Sequence, residues 1–587
     1  MVLFEEVSLR LPESARIFIF ILYLKINLKI IQSWYLEQLF LHVCHLPDSA
    51  SPVNFVPLLC MGPATLICPL CNDKVDKLVY AYHLGSERQV LERIKLNHPT
   101  WTENDGLCHR CIDYYHTEIV MQQRILPEIG PHFPVKSPDD FIILPTGLRL
   151  NADQRFTGKN ITICFIDSGF YPHPDLVSIR NRIKAAIDIT QPDSYNYLNS
   201  PGDAGNDAWH GTMTSVVCAG DGYLSNGLYK GIACDAELVL LKVQDQQGAI
   251  TTNNIVKALQ WVLDNHQQYQ IRIVNMSIGG NETSGFRESE IDVVAEELIA
   301  KGILIVAAAG NDEQGLIRSP ANSPNVITVG GTDDNNKLAS SAKLYHSSFG
   351  RTVDDIHKPE IIAPAIWIAA PILPDTEEYF ESSRLHNLLQ TEETASTRAN
   401  IINRLQTGKY ISRYYMHVDG TSFAAPIVSS VLAQLLEANP ELTVSAAREI
   451  LFSTARRMEG FPVERQGFGI IQPKKALLKT LRHQHIISPA QSPFVNTGNK
   501  VVEFYVQHDL ATEISLAGSF NNWAEDELLL EPGRFGTWKI KIPLLNPGRY
   551  FYKFLVDQSY WLEDVNNPLR EPDGFNGFNS VLLINSQ

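Results

Sequence analysis

The chain has 587 residues, 44% of them apolar, and a formal net charge of −16. That length predicts more than one domain, each with enough apolar content for a core. The charge excludes a general binder of the phosphate backbone, which needs a basic surface, so nucleic acid is not an expected partner.

Residues 1–60 read as an ill-defined apolar segment. Ile17 to Leu24 is a continuous apolar run closed by Lys25 and Lys29. It is too short for a membrane helix, which takes about 20 residues. Glu5, Glu6 and Glu13 precede it and no small-residue cleavage site follows, unlike a secretory signal. The expectation is a buried amphipathic helix or a true start at Met61, with membrane attachment or export as the alternative. No firm membrane anchor is expected.

Residues 61–125 form a short cysteine-bearing module. The chain has nine cysteines, an odd number that precludes complete internal pairing. Cys68 and Cys71 stand in CPLC, and Cys108 and Cys111 in CHRC. Two CxxC turns can present four thiolates at the tetrahedral geometry that structural zinc prefers. The separation of the two turns exceeds the commonest spacing, and His109 and His116 are substitute ligands. The alternative is a pair of CxxC disulfides or a redox pair. A closed site of four cysteines would be structural. Four thiolates favour a reducing compartment, hence the cytoplasm, with secretion as the alternative.

Residues 126–148 read as a linker and 149–482 as an α/β domain. ITICFID, AELVLLKV, IRIVNMS, GILIVAAA and NVITVGG are near-continuous apolar runs. Such runs suit strands buried on both faces of a parallel sheet. Helical patterns at Asn254–Asn265 and Glu290–Lys301 lie between them, which predicts a doubly wound sheet. Ligands bind such sheets beyond the carboxyl ends of the strands. Four polar residues stand there or at a helix start: Asp167 after ITICFI, His210 in HGTMTSVVCAG, Asn311 after GILIVAAA, and Ser422 in DGTSFAAPIV. Singly, each reads as a cap, a turn or a surface residue. Together they supply a nucleophile, its base, a carboxylate to orient the base, and an oxyanion donor.

FIDSGFYPHPDL, HGTMTSVVCAG, VNMSIGG, VAAAGN and GTSFAAPIVSSVLAQL closely resemble segments of the subtilisin-like serine proteases. The order Asp, His, Ser is that of subtilisin. The resemblance implies an endopeptidase acting on polypeptides through an acyl-enzyme, with a catalytically silent binding protein on the same fold, or a protease targeted to α-glucan by its C-terminal module, as the alternatives. Ser422 would be the nucleophile, His210 the general base, Asp167 its orienting carboxylate and Asn311 the oxyanion donor. Ser277, Ile278, Gly279 and Gly280 would pair with an extended substrate. Ala308 and Gly310 would line the pocket for the residue before the cut. Arg318 would stand where the family often has a small residue, giving either a salt-bridging pocket or a side chain turned to solvent. Many relatives bind structural calcium, but the sequence singles out no ligands for it.

Two features depart from the family. Residues 372–414 are an insertion just before Ser422, with helical pattern across Glu378–Arg404. It reads as a surface excursion, with a lid or specificity element as the alternative. No segment resembles the usual inhibitory pro-segment.

Residues 483–500 form a polar linker, and 501–585 carry five strand-like runs spaced as in an immunoglobulin-like β-sandwich. ISLAGSFNNWAED, GRYFYKFLVDQSYWLED and GFNSVLLI resemble the glycogen-binding module of the AMP-activated kinase β subunit and the N-terminal modules of starch-branching enzymes. That resemblance implies α-glucan contacts at Trp523, Lys553, Trp561 and Asn579. Trp561 arrives one residue later than in the kinase module, and Gly577 replaces a polar contact. The alternative is an accessory domain whose tryptophans are structural.

Overall fold

The computed structural model of the chain describes residues 66–70, 74–75, 78–80, 88–108, 111–112, 114–115, 143–191, 207–280, 284–337, 342–391, 394–482, 492–508, 510–533 and 536–585. The apolar N-terminal run, Cys71, His109 and His116 lie outside these residues.

An eight-stranded sheet forms the centre of the α/β domain. Its strands are β1 (Thr162–Asp167), β2 (Ile183–Asp188), β3 (Glu237–Lys242), β4 (Ile271–Met276), β5 (Leu304–Ala308), β6 (Ile327–Asp333), β7 (Lys343–Leu344) and β8 (Ile361–Pro364). The order β8–β6–β5–β4–β1–β3–β2 is parallel throughout, and β7 joins β6 antiparallel. The longer helices are α1 (Trp209–Ala219), α2 (Thr252–Tyr269), α3 (Glu290–Ala300), an inserted pair α4 (Glu377–Thr391) and α5 (Ala395–Thr407), then α6 (Thr421–Ala438), α7 (Val444–Thr454) and α8 (Pro473–Arg482).

Strand β1 shows why the runs are apolar throughout. Ile163 and Phe165 enter the core shared with α1 and α6, whereas Cys164 and Ile166 enter the core shared with α2 and α3. Successive side chains leave opposite faces of a strand, so a sheet covered on both sides needs no polar face. Helix α6 is likewise buried along almost its whole length. It is apolar all round because it crosses the sheet beneath other helices.

The insertion forms a helical hairpin. Strands β9 (Ile368–Pro371) and β10 (Tyr415–Val418) pair antiparallel at its root. Helices α4 and α5 enclose a core of their own that includes Ile372, Leu385, Leu389, Ile402 and Leu405. Tyr415 donates a hydrogen bond to the buried Asp175, and Lys409 pairs with Asp419, so the root is tied to the domain on both sides.

In the cysteine module, the helix Arg88–Asn97 packs Val90, Leu91 and Ile94 against Trp101, Leu107, Cys68, Cys108 and Cys111.

The main C-terminal strands are β11 (Val501–Gln507), β12 (Ile514–Gly518), β13 (Thr537–Pro543), β14 (Gly548–Val556), β15 (Tyr560–Leu562), β16 (Arg570–Pro572) and β17 (Phe578–Ile584). They form two antiparallel sheets, one built on β11 and β13, the other in the order β12–β14–β17–β16 with β15 against β14. Phe504 and Trp538 from the first meet Leu516, Tyr552 and Phe554 from the second in one core.

This tail docks on the α/β domain. Arg457 donates both Nη groups to Glu563, at 2.6 and 2.7 Å. Arg570 is buried, donates to the His357 and Pro359 carbonyls at 3.3 Å, and lies between the Phe468 and Phe578 rings at 4.5 and 4.7 Å. A buried guanidinium needs such partners, and both the carbonyls and the aromatic faces supply negative potential. Arg570→Ala is expected to cost about 3 kcal/mol and to release the tail as a separate unfolding transition below that of the α/β domain. Calorimetry of the full chain checks this; an unchanged profile would refute the clamp.

Candidate active site

Asp167 ends β1 and has no solvent exposure. A charged group there must be hydrogen-bonded. Its Oδ1 accepts from the Ser168 N–H at 2.7 Å and pairs with His210 Nδ1 at 2.7 Å, and its Oδ2 accepts from Thr214 Oγ1 at 3.2 Å. His210 opens α1, and the helix comes this close because residue 211 is glycine. A Cβ there would stand 2.3 Å from the Gly169 carbonyl oxygen and 3.0 Å from Asp167 Cβ. Burial pushes the His210 pKa down, but the charge and hydrogen bond of Asp167 outweigh it and raise the value above the ordinary one. With Nδ1–H directed at the carboxylate, Nε2 is the nitrogen left to exchange a proton.

Ser422 lies in the first turn of α6, half-buried, beside Phe423, whose ring is 6.0 Å from that of His210. The expectation that this serine caps its helix is corrected: Gly420 is the N-cap, at φ +137° and ψ 152°, and no side chain makes the capping bond. Only glycine takes that backbone without strain. Ser422 Oγ donates to the Ser277 carbonyl at 3.2 Å, and among the described residues no hydrogen bond joins it to His210.

Asn311 follows β5 and is exposed. Its Oδ1 accepts from the Thr421 N–H at 2.8 Å and from Thr421 Oγ1 at 2.9 Å. The amide oxygen is therefore spent, and the Nδ2 donor is left on the side of Gly420. Thr421 Oγ1 also accepts from the Gly310 N–H at 3.2 Å. Thr421, Ser168 and Thr214 were not singled out in the sequence; the signal for Thr421 was its place inside the GTS segment.

Ser277 to Gly280 follow β4. Ser277 and Gly280 are buried, Ile278 half-buried and Gly279 exposed, and the Gly280 N–H donates to the Ser319 carbonyl at 2.9 Å. Ala308 ends β5 half-buried, and Gly310 has φ +105°. Arg318, on the segment that holds Gly280, is exposed.

Two other groups lie elsewhere. The Sγ atoms of Cys68, Cys108 and Cys111 fall within 4.8 Å of one another, with Cys68 and Cys111 at 3.7 Å. The expected fourth ligand, Cys71, lies outside the described residues. In the tail, Trp523 and Trp561 are partly exposed, with ring centroids 6.0 Å apart and planes at 81°. Tyr552 and Phe554 face the core, so Lys553 on the same strand faces outward, where it is paired with Asp573. Asn579 falls on the same outward side, because its neighbour Ser580 lies opposite Tyr552.

Residues 158–469, more than half of the chain, match the family model described as the subtilase family. The chain belongs to the subtilase family. Residues 494–569 match the model of carbohydrate-binding module 48, described as the isoamylase N-terminal domain. Among similar proteins, the serine protease AprX of Bacillus subtilis is 33% identical over 307 residues, covering 51% of this chain and 62% of its own. The minor extracellular protease Epr of the same organism is 29% identical over 326 residues, covering 54% and 38%. This subtilase thus spans less than two thirds of either relative. Among solved structures, fervidolysin from Fervidobacterium pennivorans matches with a TM-score of 0.45 at 19% identity, covering 70% of this chain and 55% of that one.

Proposed function

We propose that the chain is a serine endopeptidase acting on polypeptides. The observation that carries this is the pairing of the buried Asp167 with the half-buried His210 beside the Ser422–Phe423 turn, with the Asn311 amide oxygen pinned by Thr421. Rotation about the Ser422 Cα–Cβ bond would turn Oγ from the Ser277 carbonyl toward His210. Nε2 of His210 takes the Oγ proton as Oγ adds to the scissile carbonyl carbon. The oxyanion receives the Asn311 Nδ2–H and the Ser422 N–H at the positive end of α6. Collapse breaks the C–N bond, His210 returns the proton to the leaving amine, and water then hydrolyses the acyl-enzyme by the same route. Ser277–Gly280 and Ala308–Gly310 would hold the substrate backbone and the residue before the cut.

A fluorophosphonate probe is expected to label Ser422 in the folded chain and to leave Ser422→Ala unlabelled. Asn311→Leu should slow labelling by about 10²–10³. Only neutral His210 accepts the proton, so the rate should fall with acid at a midpoint above the ordinary histidine value of about 6.5, and Asp167→Asn should remove that elevation. A folded wild type that leaves Ser422 unlabelled would sink the proposal.

We also assign Cys68, Cys108 and Cys111, with Cys71 from the sequence spacing, to a structural zinc ion. Ligands at about 2.3 Å in a tetrahedron stand about 3.8 Å apart, and Cys68 and Cys111 are separated by 3.7 Å. The Cys108 N–H also points to Cys68 Sγ at 3.5 Å, which favours a thiolate there. A closed site fixes the module's fold and takes no part in the chemistry. The purified chain should carry about one zinc and Cys68→Ser none; a metal-free wild type refutes the site.

The match to carbohydrate-binding module 48 and the outward placement of Trp561, Lys553 and Asn579, with Trp523 beside them, favour α-glucan as a ligand of the tail. The chain should co-sediment with glycogen, and Trp561→Ala should not. Wild type remaining in the supernatant would make the tail an accessory domain.

A further inference from the structure

The helix that carries Ser422 has a proline in its interior. In a regular helix the N–H of residue 426 would bond the carbonyl of residue 422. Pro426 has no N–H, and its ring pushes the carbonyl four residues earlier aside. The orphaned acceptor is therefore the carbonyl of Ser422 itself.

Ser277 occupies the vacant place. Its Oγ donates to the Ser422 carbonyl at 2.7 Å. That hydroxyl is held in turn: Asn275 Nδ2 donates to it at 3.1 Å, and Asn275 Oδ1 accepts from Ser429 Oγ at 2.9 Å. Ser277, Asn275 and Ser429 are all buried. A hydroxyl has one proton to give, and the Asn275 donor leaves it only the Ser422 carbonyl as a target. The chain Ser429–Asn275–Ser277 thus starts on α6, crosses the end of β4 and returns to α6 two residues from its cap.

We propose that Ser277 is a positioning residue for the nucleophile. Its hydroxyl replaces the helix hydrogen bond that Pro426 removes, and fixes the Ser422 peptide against the end of β4. The Ser422 N–H then stays directed at the oxyanion, and Oγ stays on an arc between the Ser277 carbonyl and His210. This rests on the serine endopeptidase reading. It gives the Ser277 side chain a task separate from the substrate-pairing role of its backbone. A displacement of the order of 1 Å at a reacting group costs about 10²-fold in rate.

The test is a rescue on a peptide substrate. Ser277→Ala should lower kcat by about 10–10²-fold with KM within about threefold, while a fluorophosphonate still titrates Ser422. Pro426→Ala restores an N–H at 426, so Ser277→Ala/Pro426→Ala should recover most of kcat. A substrate-binding role for the hydroxyl would raise KM instead and would not be rescued. Unchanged kcat in Ser277→Ala, or a loss that Pro426→Ala does not relieve, overturns the proposal. Should Ser277→Ala not fold, the double variant is compared with Pro426→Ala alone, and a kcat gap above about threefold overturns it. Failure of the wild type to react with the probe would instead remove the endopeptidase reading itself.

Discussion

A carboxylate with no solvent exposure survives as an ion only where donors surround it, and Asp167 is such a group. Its three donors come from the next residue, from the first turn of α1 and from one turn further along that helix. Meeting that demand requires α1 to lie almost against the end of β1, which residue 211 allows by having no side chain. It also requires β1 to sit deep in the sheet, between β3 and β4, with helices on both faces. The pairing of His210, and the rise in its pKa, are consequences of where that carboxylate is held.

The two additions to the domain are mounted along one short stretch of chain. The His357 and Pro359 carbonyls receive Arg570 of the tail, and the Glu360 carbonyl receives the Phe468 N–H. Strand β8 follows, and the Ala365 carbonyl then accepts from the Gly420 N–H at 2.7 Å. Strand β9 leads into the helical hairpin, and β10 brings the chain back to Asp419 and the start of α6. The tail is therefore clamped to the edge of the sheet, and the hairpin replaces what could be a short turn between β9 and β10. Neither insertion nor tail disturbs the sheet order, because both attach at its edge or beyond its strand ends.

Ser422 and the three polar residues grouped with it were legible because each follows an apolar run or opens a helical one. The five strands named from the sequence are the central ones, where burial on both faces forces an unbroken apolar run. Those missed include β2 and β8, the two ends of the parallel order. Strand β2 mixes Lys184 with alanines, and β8 follows Pro359 closely and ends in Pro364; edges tolerate both. The helical pattern of the insertion was visible, but its division into α4 and α5 was not. Nor were the contacts of Thr421 and of the Ser277 hydroxyl. Their partners lie 110 and 145 residues away in the chain, and only the closed sheet brings them together.

The start of α6 shows why the serine is where it is. A side-chain cap would spend a serine or aspartate oxygen on the first helical donors. Here glycine stands at the cap instead, and the Thr421 N–H is satisfied from outside the helix by Asn311 Oδ1. The Phe423 N–H turns back to the Gly420 carbonyl at 3.0 Å. Among the described residues the Ser422 N–H takes no hydrogen-bond partner. One unspent donor thus remains at the positive end of the helix, whose cap Gly420 faces the Asn311 amide. An unsatisfied N–H at a helix start is a cost to the folded state. It is tolerable here because water reaches the half-exposed Ser422, and it leaves free the donor that the proposed oxyanion role would use.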